Sequence, residues 1–66
     1  MEVMYPAVTV ELTGQDGNAF AIIGKTVDAM RRAGVPREVI NAYRLEATSG
    51  SYDNVLQTTM RYVEVE

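Results

Sequence analysis

Two segments of period-two alternation, one near each end of the chain, constrain the fold more than any other feature of the sequence. Residues 7–13 read Ala-Val-Thr-Val-Glu-Leu-Thr, so that Val8, Val10 and Leu12 alternate with Ala7, Thr9, Glu11 and Thr13. That pattern, rich in β-branched residues, predicts a strand with one buried face. Pro6, just ahead of it, suits a strand start or an edge. Alternation returns at Tyr62-Val63-Glu64-Val65-Glu66 and predicts a short final strand. Two terminal strands can pair with each other and take whatever lies between them on one face.

What lies between them has helical period. Gly14-Gln15-Asp16-Gly17 is a turn. Asn18 is a good N-cap for a helix starting at Ala19. Phe20, Ile23, Val27 and Met30 form an apolar stripe at spacings of three and four, widened by Ile22, Ala29 and Ala33. Arg31 and Arg32 fall in its last turn, where cations complement the helix dipole. Gly34 is expected at C′ in the left-handed region, with Val35 folding back on Met30. Pro36 is expected at the first position of a second helix, whose inner face is Val39, Ile40, Tyr43 and Ala47. Thr48-Ser49-Gly50 ends it. Ser51 is the natural N-cap of a third helix, with Asp53 in its first turn and Tyr52, Val55 or Leu56, Thr59, Met60 and Val63 at helical spacing. The predicted fold is α+β in the order β-α-α-α-β, three helices on a two-stranded sheet, as a single domain over residues 1–66.

A chain of 66 residues buries only about 60% of its unfolded surface, and domains of this size usually need a staple. There is no Cys, hence no disulfide, and no His, the commonest general base and neutral metal ligand. Self-association, as a homodimer that completes the sheet edge, gains weight by elimination. The absence of Cys fits a reducing, cytoplasmic setting. The longest apolar run, Ala19 to Ile23, is too short to span a bilayer, and Met1 to Pro6 lacks the form of a signal peptide; no membrane partner is expected. A net charge of −3 argues against nucleic acid as the main partner.

Motifs of catalysis fare poorly. Gly24-Lys25-Thr26 resembles the tail of a phosphate-binding loop, but the motif needs Gly five residues earlier, and Ala19 stands there inside a helical pattern. Gly24 reads better as a place where another element approaches the helix closely, with Lys25 solvated. Asp16-Gly17-Asn18 lacks the spaced acidic ligands of a calcium loop, and no metal or other cofactor is expected. No Ser or Thr has a His to activate it, and no carboxylate sits in an apolar setting. The protein is expected not to be an enzyme.

Two charged surfaces remain as candidates. Arg31, Arg32, Arg37 and Arg44 gather around the turn between the first two helices, where guanidinium forks suit phosphate or carboxylate. Their plainer role is to complement a helix C-terminus and to pair with Glu38 or Glu46. Glu2, Glu11, Glu64 and Glu66 gather on one side if the strands pair, although charge on edge strands also prevents uncontrolled pairing. Of the four tyrosines, Tyr43 and Tyr62 fall on apolar faces, while Tyr5 and Tyr52 flank elements and are open to interface or stacking roles.

With these elements placed, the strings Leu12-Thr13-Gly14-Gln15-Asp16-Gly17-Asn18-Ala19-Phe20, Met30-Arg31-Arg32-Ala33-Gly34-Val35, Glu46-Ala47-Thr48-Ser49-Gly50-Ser51-Tyr52-Asp53 and Val63-Glu64-Val65-Glu66 resemble a family of small proteins encoded by phages and prophages. The resemblance covers almost the whole chain and includes no catalytic signature. It implies a phage or mobile-element origin, a host-cytoplasmic setting and a binder that blunts host defence. The leading expectation is a non-enzymatic protein that binds a host protein, such as a defence effector, through an acidic surface of Glu2, Glu11, Glu64, Glu66 and Tyr5. The alternative is sequestration of a cyclic nucleotide, with Arg31, Arg32, Arg37 and Arg44 holding phosphate and Tyr52 stacking. A homo-oligomeric structural or accessory phage protein is the third.

Overall fold

The computed structural model describes residues 3–12 and 18–66. Glu2, Thr13 and the segment Gly14-Gln15-Asp16-Gly17, where a turn is predicted, lie outside the described residues, and with them most of the segment weighed as a calcium loop. The described elements run β1 (Tyr5–Val10), α1 (Ala19–Arg32), α2 (Arg37–Ala47), α3 (Tyr52–Tyr62) and β2 (Val63–Val65). The predicted order and α+β class both hold.

β1 and β2 form a two-stranded parallel sheet. The expected alternation survives: Val8 and Val10 are buried, Leu12 is partly buried, and Ala7, Thr9 and Glu11 are exposed. The strand nevertheless begins earlier than the alternation suggested, because the Met4 N–H donates to the Arg61 carbonyl and Tyr5 pairs with Val63. An irregularity follows, and the register resumes at Thr9 opposite Glu64 and Val10 opposite Val65. β2 is shorter than predicted. Tyr62 completes α3, and Val63, with φ −134° and ψ 167°, turns the chain straight from helix to strand.

α1 is capped as expected by Asn18, whose side-chain oxygen accepts from the Phe20 N–H at 2.9 Å. It ends in a full Schellman motif. Val35 N–H donates to the Met30 carbonyl, Gly34 N–H to that of Arg31, and Gly34 takes φ 82°. The buried face, however, is Ile22, Thr26, Val27 and Met30. Phe20 is 81% exposed, and Ala33 also faces solvent. Phe20 sits in the first turn, on the other side of the helix from Ile22, two residues on. Thr26 goes inside because its hydroxyl donates to the Ile22 carbonyl at 2.8 Å, which satisfies it within its own helix.

Pro36 is the N-cap of α2 and not its first residue, one position from expectation. Ser51 occupies the cap position of α3 with extended backbone but makes no side-chain capping bond. Instead, the Asn54 amide donates to the Glu46 carbonyl at 2.8 Å and ties the start of α3 to the end of α2. On α3 the buried residues are Val55, Thr58, Thr59 and Tyr62, and Met60, read as inward, is 57% exposed.

The core joins Val8, Val10 and Val63 of the sheet to Val27, Met30, Ile40, Tyr43, Ala47 and Tyr62 of the helices. Tyr43 is fully buried and meets Tyr62 edge to face, with ring centroids 5.3 Å apart. The Thr59 hydroxyl donates to the Val55 carbonyl at 2.7 Å, so the Tyr43 hydroxyl, 2.7 Å from Thr59 Oγ1, must be the donor between them. That chain of bonds gives a buried phenol its partner and fixes α2 against α3.

Candidate functional site

Gly24-Lys25-Thr26 lies within α1, with Thr26 buried and bonded to its own helix. Nor does Gly24 admit a close neighbour. It is exposed, and a Cβ built on it would meet nothing within 4 Å. The close-approach reading of Gly24 is therefore wrong, and a phosphate loop has no place in this helix.

The arginine cluster is divided by the fold. Arg31 from the last turn of α1, and Arg37 and Arg44 from α2, line one groove of about 540 Å³ together with Val35, Ile40 and Asn41. Arg32 does not join them. It pairs with Asp28 one turn back at 2.9 Å, with both side chains largely in solvent. Glu46, an expected partner of the α2 arginines, is taken by Arg61 of α3 at 3.3 Å. Arg31, Arg37 and Arg44 have no ion pair and no side-chain hydrogen bond among the described residues, and Glu46, two residues beyond Arg44 on the same helix, does not face it. Tyr52 is also elsewhere. It lines a shallow apolar depression with Phe20, Ile23 and Val55, so the groove has no aromatic wall.

Local helix electrostatics accounts for Arg31 and Arg44, which sit in last turns. It does not account for Arg37. The first residue of α2 stands at the positive end of the helix dipole, where a cation is disfavoured by about 0.3–1 kcal/mol. Three arginines without ion pairs, one of them against the dipole, line this groove with Asn41 beside the nearly buried side chains of Val35 and Ile40. Such a groove offers fork-shaped donors to carboxylate or phosphate.

The acidic residues are placed by strand register. Leu12 N–H donates to the Glu66 carbonyl, and Glu66 N–H donates to the Val10 carbonyl. These two bonds flank Glu11, so Glu11 and Glu66 stand side by side. Glu64, opposite Thr9, points to the same solvent face. Tyr5 does not belong to this face; it is partly buried and packs against the core. Side-by-side carboxylates on paired strands repel. No cluster of three or more Asp, Glu, His or Cys among the described residues is arranged to hold a metal ion.

One further polar group stands out near α2. Burial of the Tyr62 phenol and the neighbouring Glu46 carboxylate push its pKa up to about 12, against the opposing pull of Arg61. The phenol is therefore held neutral and is no candidate base.

Among the described residues, no helix is long and apolar enough to cross a membrane. The fold and groove together define a small α+β domain with a parallel two-stranded sheet and an arginine-lined cleft. Comparison with known proteins returns no matching family model, no matching curated protein and no matching solved structure.

Proposed function

We infer that this domain is a non-enzymatic binding protein whose site is the α1–α2 groove, and that its ligand is anionic. The observation that carries the reading is the set of unpaired guanidiniums of Arg31, Arg37 and Arg44 around one concavity. Arg32 and Arg61, by contrast, each pair with a carboxylate. The resemblance to phage-encoded proteins makes a host molecule in the host cytoplasm the expected ligand. The test is a thermal-shift panel of pyrophosphate, ATP and poly-glutamate on the wild type and on an R31Q/R37Q/R44Q variant. A ligand held at 100 times its Kd adds about 2.7 kcal/mol to stability. The reading requires at least one anion to raise the wild-type Tm and to leave that of the variant unmoved. A flat response to all three would overturn it.

A second reading rests on the outer sheet face, where Glu11, Glu64 and Glu66 stand together despite their mutual repulsion. There the domain binds a basic protein partner, such as a host defence effector. In that case charge reversal at Glu64 abolishes capture of the partner while the triple arginine variant retains it.

A further inference from the structure

The groove has a direction as well as a charge. Along α2, Arg37, Ile40, Asn41 and Arg44 form one stripe, with an arginine at each end and the apolar residue midway. Arg37 and Arg44 are seven positions apart, a rise of about 10.5 Å between their backbones along the axis. Val35 widens the apolar floor beside Ile40, and Arg31 flanks it from α1. A single phosphate is much smaller than that span. A nucleobase would find no ring to stack on, since no aromatic side chain lines the groove.

Resting on the reading of the groove as an anion site, we propose that its occupant is an acidic amphipathic helix of a partner protein. It carries carboxylates at positions i and i+7 and an apolar residue at i+3 or i+4. Such a helix repeats the rise of α2. Each carboxylate then meets one guanidinium fork while the apolar side chain lies over the small part of Val35 and Ile40 that the core leaves open, an arrangement of the helix-in-groove type. An extended acidic peptide matches less well. Its same-face residues recur every ~6.6 Å, so its second and third carboxylates fall short of and beyond the span.

The experiment is fluorescence anisotropy with a labelled, end-capped helical peptide bearing Glu at i and i+7 and Leu at i+3 and i+4. Its control has identical composition with the second Glu moved to i+2. The patterned peptide is expected to bind at least about tenfold tighter than the control, a difference of roughly 1.4 kcal/mol. Arg37→Gln and Arg44→Gln are each expected to weaken it about tenfold, and Arg32→Gln, outside the groove, to leave it unchanged. Far-UV circular dichroism of each variant confirms that the fold is retained. Equal affinity for the two peptides overturns the proposal. So does binding of ATP or pyrophosphate without binding of either peptide, an outcome in which the anion site itself stands. If no probe binds, both readings fall.

Discussion

The two charged regions of this molecule are built by different means. The acidic face is a product of backbone register: once β1 and β2 pair in parallel, Glu11 and Glu66 are neighbours whatever their side chains prefer. The arginine groove is a product of how α1 and α2 pack on each other. Asp28 and Glu46 are occupied by Arg32 and Arg61, and the three remaining arginines are left around one cleft. The regions share no residue: Arg31, Arg37 and Arg44 come from α1 and α2, Glu11, Glu64 and Glu66 from the paired strands and the residues that continue them. A charge cluster imposed by the backbone reports on strand pairing. One gathered by helix packing reports on what the surface keeps available.

The largest expected effect removes both regions together. Tyr43→Ala deletes a fully buried ring and its bond to Thr59, a change worth about 3–5 kcal/mol. A domain of this size has roughly 3–10 kcal/mol in all. Loss of a cooperative thermal transition is therefore expected, with anion binding and sheet signal vanishing at once; a sharp transition near the wild-type Tm would mean that α2 is not held from the core.

A smaller effect separates the two regions. Glu66→Lys places a cation beside Glu11 and is expected to stabilise by up to about 1 kcal/mol at low salt, a gain that shrinks as salt is added. Chemical denaturation at two ionic strengths measures it, and a destabilisation at low salt would contradict the register. Anion binding at the groove should be untouched by this change.

The smallest effect distinguishes a paired arginine from an unpaired one by sign. Arg32→Ala removes an exposed i,i+4 pair with Asp28 and should cost about 0.3–0.5 kcal/mol. Arg37→Ala removes a cation from a helix N-terminus and should stabilise by a few tenths of a kcal/mol. Should both substitutions destabilise equally, Arg37 has a partner within the fold and the groove is less available than its geometry suggests.

Much of the fold was legible in the sequence because it is encoded locally. The Schellman ending of α1 needs only Gly34 and the residues on either side of it. The Asn18 cap needs one side chain and the amide two residues on. Alternation around Val8 and Val10 identified the inner face of β1. What failed were choices among apolar residues of one helix. Phe20 and Met60 were read as buried because spacing fixes which residues share a stripe, not which stripe a neighbouring element covers. Thr59 was on the predicted stripe of α3, but Thr26 and Thr58 went unnoticed as core positions, although a threonine in a helix can satisfy its hydroxyl on the preceding turn and then be buried at little cost. That capacity was the one available signal.

Of the candidate site, the sequence placed four arginines near one turn, and the tertiary structure selected among them. Spacing alone showed that Asp28 could reach Arg32. That Arg61, fifteen residues away, would take Glu46 depends on how α3 packs on α2. The removal of Tyr52 to a different depression was decided the same way. By itself, then, the sequence determined the element order, the helix caps and the class of the fold, since each rests on interactions within about one turn or on period. Strand direction, the register that sets Glu11 beside Glu66, and the set of arginines that share one groove belong to the tertiary structure. They depend on contacts between residues far apart in the chain, which no local pattern encodes.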